Sequence, residues 1–347
     1  MDSKTVYVVG AGASYEANLP TGKDLKDEIA RLLNIKFDYD TQVSGDYDIQ
    51  QTLRQFTKED PTLKLLNTYL HECQHISANM PLATSIDNFI DTEKENEKLA
   101  LCGKLAIIKS ILKAENNSLF HFDRYKNQTF NFASLDNTWY LSFFRTLTEN
   151  CNTEELSKRF SDITLIIFNY DRCIEHFLLF ALMSYYRLNE NSAAEIINNL
   201  TIIHPYGTVG SLQWQKHTST TSVEFGGELR IGQLIEYAQR IRTFTEGAHS
   251  EYIEPLRRNM QNTDRLVFLG FAFHRLNMKL LGGENMDRYK NPTNINCYAT
   301  AYETSKSDQE SIRGSIGYLY RNSISINIEN TTCKQLFYDY SRSLGYS

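Results

Sequence analysis

Short apolar runs rich in β-branched residues alternate with helical patterns along much of this chain, and this alternation constrains the fold most strongly. An uninterrupted apolar run of this length is typical of a strand buried on both faces, as in a parallel sheet. The runs lie at residues 4–9, 163–169, 200–204, 266–270, 294–301 and 323–328. Their alternation with helices predicts an α/β protein whose Rossmann-like, doubly wound parallel sheet has about six strands.

A long stretch of helical periodicity separates the first predicted strand from the second. Between about residues 62 and 150, apolar side chains recur at spacings of three and four. We therefore expect residues 1–35 to open the Rossmann-like domain, 36–160 to form a mostly helical insertion, and 161–347 to complete the domain. Residues 205–232 are rich in Gly, Ser and Thr and are predicted to form an extended loop or hairpin.

Composition limits the classes of function. The 347 residues include 36 Lys and Arg against 42 Asp and Glu, so direct nucleic-acid binding is not expected. No apolar run is long enough to span a membrane, and the N-terminus lacks the pattern of a secretory signal. The six cysteines are scattered without a CxxC pair, which indicates reduced, buried thiols and no cysteine-based zinc site. We expect a cytoplasmic protein.

Glycines and polar residues follow several of the predicted strands. Gly10–Gly12 ends the first strand, and Asn169, His204 and Gly270 end later ones. In a doubly wound sheet, ligands bind beyond the carboxyl ends of the strands. The glycine turn suits a diphosphate, because glycine lets the backbone approach closely and a helix N-terminus favours an anion. These residues are therefore predicted to meet at one binding site.

Four short segments resemble motifs of the sirtuin superfamily and occur in the same order. Gly10–Thr21 (GAGASYEANLPT) is similar to the family's GAGxSxxxGxP segment, and especially to a divergent bacterial branch with GAGAS…LPT. Phe168–Arg172 resembles the Asn-x-Asp element, and Ile202–Gly207 resembles the strand that ends in the catalytic His-Gly. Leu266–Phe273 resembles a later strand and its Gly-x-Ser turn, with Ala272 at the serine position. The resemblance implies a Rossmann-like domain that binds NAD.

The resemblance also implies roles for individual residues in cleaving the bond between nicotinamide and ribose. Asn169 would hydrogen-bond ribose hydroxyls or place a water, and Asp171 would hold the nicotinamide amide or fix the loop. His204 would act as general base, since the unperturbed pKa of histidine lies near the working pH. The further residues expected to contact NAD are Gly10, Ala11, Gly12, Ser14, Thr21, Tyr206, Gly270 and Phe271.

Besides Ala272, the chain departs from the family pattern in the His-Gly element, in its cysteines and in the residues after the proline. The family has His directly before Gly, whereas here Tyr206 precedes Gly207 and His204 lies three residues before it. Both His204 and Tyr206 are therefore candidates for the catalytic histidine position. Protein-deacylating sirtuins carry two CxxC pairs and an Asp-Phe-Arg after the proline, but this chain has no CxxC and reads Thr21–Lys23 after Pro20. A peptide deacylase is not expected.

The divergent branch is similar to bacterial anti-phage effectors that hydrolyse NAD and starve the infected cell. This similarity implies an NAD glycohydrolase with NAD as substrate, no metal, and activity released during abortive infection. It further implies a homo-oligomer and a protein partner in trans, such as a translocase-type ATPase, a nucleotidase-like protein or an Argonaute-like protein. The helical insertion at residues 36–160 would suit a cap or an assembly surface.

Three other functions remain open at the level of sequence. A non-catalytic subunit that binds NAD or an ADP-ribose derivative would account for the altered His-Gly spacing. His71–His75 matches the HExxH motif of zinc peptidases, although Ala78 and Pro81 hold the next glycine and histidine positions of the longer motif. An NAD-dependent oxidoreductase needs an acidic residue after a second strand, which Asp38 supplies, but Tyr15 replaces the third glycine of GxGxxG.

Overall fold

The computed structural model describes residues 4–123, 126, 128–215, 222–248, 251–282, 289, 294–321 and 324–345. Residues 216–221 of the predicted loop and residue 323 of the last predicted strand lie outside these ranges. The chain forms two compact units. One unit, called here the sheet unit, comprises Met1–Leu19, Ser118–Pro205 and Ala248–Ser347. The other, called the helical unit, comprises Pro20–Asn117 and Tyr206–Gly247.

Strands and helices alternate in much of the described chain. The strands are β1 Thr5–Val9, β2 Lys36–Asp38, β3 Thr41–Ser44, β4 Ile163–Ile167, β5 Thr201–Ile203, β6 Arg265–Leu269, β7 Ile295–Thr300 and β8 Ile324–Glu329. The helices are α1 Ala11–Tyr15, α2 Gly22–Leu33, α3 Tyr47–Phe56, α4 Lys64–Asn79, α5 Ile86–Thr92, α6 Glu97–Asn116, α7 Trp139–Thr148, α8 Leu156–Ser161, α9 Cys173–Tyr185, α10 Glu190–Ile197, α11 Leu234–Ala238, α12 Phe244–Ala248, α13 Ile253–Gln261, α14 Arg275–Gly282, α15 Lys306–Tyr318, α16 Cys333–Asp339 and α17 Ser341–Leu344.

The sheet unit is built on a six-stranded parallel sheet with the order β5-β4-β1-β6-β7-β8. Counted along the chain within this sheet, the order is 3-2-1-4-5-6, which is that of the Rossmann fold. The predicted α/β class with a Rossmann-like parallel sheet is confirmed. The first strand lies at the centre, where β1 pairs with β4 on one side and with β6 on the other.

Aromatic side chains fill the core on one face of β1. The ring of Tyr7 lies 5.1 Å from that of Phe143 on α7 and 6.4 Å from that of Phe337 on α16. Trp139, at the start of α7, stacks on Phe337 at 5.9 Å. These side chains are buried, so much of the aromatic content serves the core of the sheet unit.

Local capping residues define where several helices of the helical unit begin. Thr21 and Asp24 form a capping box at the start of α2, while Asp46 and Asn96 cap α3 and α6. Of the predicted insertion at 36–160, residues 36–117 belong to this unit and the remainder to the sheet unit.

Asp38 ends β2, which pairs only with β3 as an antiparallel hairpin among the described residues. It does not follow a strand of the parallel sheet, so the expectation that it supplies the ribose-binding acid of an oxidoreductase is wrong. A strand pattern alone does not specify the sheet to which the strand belongs.

The structure bears on two expectations from composition, namely the state of the cysteines and the lack of a membrane-spanning segment. All six cysteines are buried and free of disulfides. In the part of the chain that the structure describes, no helix combines the length and the apolar character required to cross a bilayer.

Candidate functional site

The candidate site lies at the carboxyl edge of the parallel sheet. Along the chain, β4 and β5 are added to the sheet on one side of β1, and β6, β7 and β8 are then added on the other side. The switch point of the sheet is therefore between β1 and β6, where Rossmann-like proteins bind dinucleotides. Gly10 directly follows β1 and Gly270 directly follows β6, while Asn169 and His204 lie just beyond β4 and β5.

A chain of hydrogen bonds joins four of the predicted residues. Asn169 Nδ2 donates to the carbonyl oxygen of Gly10 at 3.1 Å and to Ser14 Oγ at 2.9 Å. Ser14 Oγ donates in turn to Asp171 Oδ2 at 3.0 Å, and Asp171 Oδ1 accepts from the backbone N–H of Cys173 at 3.1 Å. The structure thus brings Gly10, Ser14, Asn169 and Asp171 together, and Asp171 also helps to cap α9.

The direction of each hydrogen bond in this cluster limits what it can offer a ligand. The single hydroxyl hydrogen of Ser14 points to Asp171, so Ser14 accepts from Asn169. Both amide hydrogens of Asn169 are therefore committed. Its Oδ1 forms no hydrogen bond with the residues that the structure describes, and it is the group of this side chain that can accept one from a ribose hydroxyl or a water.

Tyr140 on α7 adds a buried hydroxyl beside this cluster. The side chain is fully buried next to Ser14, Cys173 and Asp171. Burial and the acidic groups of Cys173 and Asp171 raise the pKa of Tyr140 well above its ordinary value. The phenol therefore remains neutral and keeps its proton at physiological pH.

His204 forms an ion pair with a residue that the sequence analysis did not identify. His204 Nε2 lies 2.8 Å from Glu175 Oε1, and His204 Nδ1 lies 3.1 Å from the carbonyl oxygen of Asn169. Burial of the ring opposes its charge, but the attraction and hydrogen bond of Glu175, together with the Asn169 carbonyl and the charge of Asp171, outweigh burial and raise the pKa of His204. Because both ring nitrogens face oxygen acceptors, the arrangement fits an imidazolium that donates from each nitrogen.

A protonated ring would bear directly on the predicted role of His204. A general base needs an unprotonated nitrogen within reach of the proton that it removes. In the observed arrangement, His204 can take that role only after its contact with Glu175 or Asn169 is broken. Catalysis by His204 stays a prediction.

The glycines of the first turn are required by packing against the turn after β6. A Cβ at Gly10 would lie 2.6 Å from the carbonyl oxygen of Gly270, and one at Gly12 would lie 3.0 Å from Gly270 Cα. Gly270 has φ +54° and would itself place a Cβ 2.0 Å from the backbone nitrogen of Ala13. Close packing of two backbones therefore explains these glycines without any ligand.

The backbone donors of this turn are also partly used within the protein. The N–H of Gly10 donates to the carbonyl oxygen of Leu269 at 2.9 Å, and that of Gly12 donates to the carbonyl oxygen of Gly270 at 3.0 Å. Ala11 begins α1, which is a single short turn of helix. Phe271 is buried, and its ring lies 5.1 Å from that of Phe168.

Two predicted contact residues belong to the helical unit. Thr21 Oγ1 accepts from the backbone N–H of Asp24 and caps α2. Tyr206 is buried, and burial raises the pKa of its hydroxyl well above the ordinary value. The next residue, Gly207, has φ +75°, and a Cβ there would lie 1.9 Å from the carbonyl oxygen of Arg240. The positive φ and this close contact with the backbone therefore require glycine at position 207. A role for Tyr206 at the position of the catalytic histidine stays a prediction.

Glu16 and Glu175 are the acidic residues that the sequence analysis missed. Glu16 accepts the backbone N–H of Trp139 at 2.8 Å and that of Lys334 at 3.0 Å, so one carboxylate serves the starts of α7 and α16. Burial raises the pKa of Glu16 despite these hydrogen bonds. For Glu175 a signal was present, since it is an acidic residue within the apolar sequence of α9.

The HExxH segment lies on α4 as predicted, but its surroundings do not resemble a zinc site. His75 Nε2 lies 3.0 Å from Glu93 Oε1, and His75 Nδ1 lies 3.3 Å from Asn79 Nδ2. Among the residues with described positions, no cluster of three or more His, Cys, Asp or Glu side chains could hold a metal ion. The zinc-peptidase alternative therefore lacks a ligand set there.

Comparison with known proteins adds no functional assignment to this geometry. No protein-family model matches the chain, and no curated protein matches it. The functional inference therefore depends on the strand-end residues themselves.

Proposed function

We propose that this protein is an NAD glycohydrolase that converts NAD and water into nicotinamide and ADP-ribose. The observation that carries the proposal is the hydrogen-bonded cluster of Asn169, Ser14 and Asp171 at the carboxyl ends of β1 and β4. It lies beside the switch point of a sheet with the Rossmann strand order. The sequence resemblance to sirtuin-like NAD hydrolases supports the choice of substrate.

The proposed chemistry requires positioning more than a strong nucleophile. The bond between nicotinamide nitrogen and ribose C1′ breaks, nicotinamide leaves as a neutral molecule, and water adds to C1′ with loss of a proton. Asn169 Oδ1 would accept a hydrogen bond from the attacking water or a ribose hydroxyl. Asp171, held by Ser14 and the start of α9, supplies a fixed negative charge near the cation-like sugar.

A second function is favoured by one specific observation. His204 has both ring nitrogens directed at acceptors and its pKa is raised, so it is poorly suited to removing a proton in this arrangement. A subunit that binds NAD or an ADP-ribose derivative without cleaving it would need no such base. Binding without turnover is therefore the second candidate.

The two functions are separated by measuring binding and turnover on the same full-length protein. NAD binding is measured by calorimetry, and nicotinamide and ADP-ribose are quantified by chromatography. We expect Asn169→Ala to abolish turnover, with Asn198→Ala as a matched control because Asn198 is exposed at the end of α10. Thermal melts of both variants report whether the fold is retained.

Each outcome has a defined meaning. Loss of turnover in a folded Asn169→Ala variant supports the hydrolase. Binding of NAD by the wild-type protein without turnover, alone and with a triggering partner, supports the binding subunit. No binding of NAD under either condition rejects both candidates.

We further propose that the activity is released during phage infection, as in the anti-phage effectors that the sequence resembles. Control would come from homo-oligomerisation or from a partner in trans, namely a translocase-type ATPase, a nucleotidase-like protein or an Argonaute-like protein. The test measures NAD in infected bacteria that express the wild-type chain or Asn169→Ala together with the neighbouring gene. A fall in NAD that is equal in both strains would contradict the proposal.

A further inference from the structure

A cleft of about 430 Å³ lies between α14 and α15 in the sheet unit. This volume is within the range of small-molecule binding sites. Its buried floor includes Met278 and Leu319. Phe273 contributes an aromatic wall, because its ring is held 5.0 Å from that of Phe268 and 5.1 Å from that of Phe271. The cleft is thus predominantly apolar, with a buried floor, whereas Arg275 and the residues of α15 that line it are exposed.

The face of α15 that borders the cleft consists largely of small residues. Ser311, Gly314 and Ser315 all line it, and an added Cβ at Gly314 would meet no atom within 4 Å. Ser311 Oγ and Ser315 Oγ donate to the helix carbonyls of Ser307 and Ser311. Their hydroxyl hydrogens are therefore used within the helix, and these side chains mainly leave space.

Arg275 gives the cleft its charge. Among the described lining residues it is the only charged side chain, and it forms no hydrogen bond or ion pair with any part of the chain that the structure describes. A guanidinium presents several donors in one plane and pairs well with carboxylate, sulfonate or phosphate groups. No carboxylate in the described lining competes for it.

We propose that this cleft is a second ligand site, which binds a small molecule with a flat apolar group and one anionic group. The apolar group would lie over Met278 and Leu319 against Phe273, and the anion would pair with Arg275. This proposal goes beyond NAD cleavage. It does not depend on that activity, because Asn169, Ser14 and Asp171 do not line the cleft.

The test uses 8-anilinonaphthalene-1-sulfonate, an aromatic sulfonate whose fluorescence rises in apolar sites. The full-length wild-type protein should bind it saturably. Gly314→Leu should weaken binding about tenfold or more, because the new side chain fills the cleft while leucine favours the helix more than glycine. Ser307→Leu, on the same helix and outside the described lining, is the matched control and should leave the affinity unchanged.

A second pair of variants tests the charge. Arg275→Gln should weaken binding of the sulfonate about tenfold, because a charge-assisted contact is lost, while the exposed Arg342→Gln should have no effect. The uncharged analogue N-phenyl-1-naphthylamine should bind the wild type and Arg275→Gln equally.

Two results would overturn the site. One is an unchanged titration of the folded Gly314→Leu variant. The other is equal loss of sulfonate binding in the cleft variants and in their controls.

Discussion

Replacing Gly10 with alanine distinguishes a glycine kept for packing from one kept for a ligand. Gly10 has φ −116°, which any residue adopts, so the substitution introduces no backbone strain of its own. The added Cβ would lie 2.6 Å from the carbonyl oxygen of Gly270 and 2.7 Å from Phe271 Cα. Both contacts are far below the 3.4 Å at which ordinary van der Waals contact begins, and both partners are backbone atoms.

The expected cost follows from the limited ways in which this contact can relax. Gly10 is tied to β6 by its hydrogen bond to Leu269, so the two turns cannot separate freely. Overpacking of this kind costs about 1–3 kcal/mol. For a unit of about 200 residues, each kcal/mol lowers the melting temperature by roughly 2–4 °C, so we expect a decrease of roughly 2–12 °C.

Calorimetric melting of the full-length protein, with NAD binding measured on the same sample, is the assay. Gly314→Ala is the control, since it lies in a helix with open space around it and should raise stability by about 0.5–1 kcal/mol. If Gly10→Ala melts at the wild-type temperature and loses only NAD binding, the packing explanation is refuted. In that case the glycine serves the ligand, as the sequence motif implies.

Two further predictions concern the acidic residues that the structure identified. Glu16→Ala should lower the free energy of unfolding by about 1–3 kcal/mol, because the N–H groups of Trp139 and Lys334 lose a buried acceptor. The measurement is a urea titration, and an unchanged midpoint would contradict the stabilising role of Glu16. His204 has a raised pKa, so its contribution to stability is fully present below pH 6.5 and is lost as the pH rises through the pKa of the folded state. Glu175→Gln should lower the free energy of unfolding by about 1–3 kcal/mol below pH 6.5, where the imidazolium loses its charged partner, and should flatten this pH dependence. A wild-type profile that is level from about pH 6 to 9 would disprove the ion pair's contribution.

Much of the fold could be predicted because its strands are short apolar runs with distinct ends. All six predicted strands begin and end within two residues of the observed β1, β4, β5, β6, β7 and β8, and the largest difference is at β4, which ends two residues before Asn169. The local pattern suffices for such strands, since they are buried on both faces. The antiparallel hairpin of β2 and β3 was not predicted, because its strands are short, polar and exposed.

The candidate site was predictable only in part. The positions of Asn169, Asp171 and Ser14 follow from strand ends and a glycine turn, and the structure joins them by hydrogen bonds. The raised pKa of His204 could not be predicted in the same way, because it depends on Glu175, which is 29 residues away along the chain. The pKa of a buried group is set by its neighbours in space.

The sequence by itself determined the α/β class, the number of parallel strands and which polar residues follow them. These properties arise from local apolar runs and their periodicity, which each segment carries alone. Only the tertiary structure decided that residues 206–247 belong to the helical unit, that Gly10 packs on Gly270, and that Glu175 pairs with His204. Those contacts join residues from different elements, and close packing between them is specified by the assembled core.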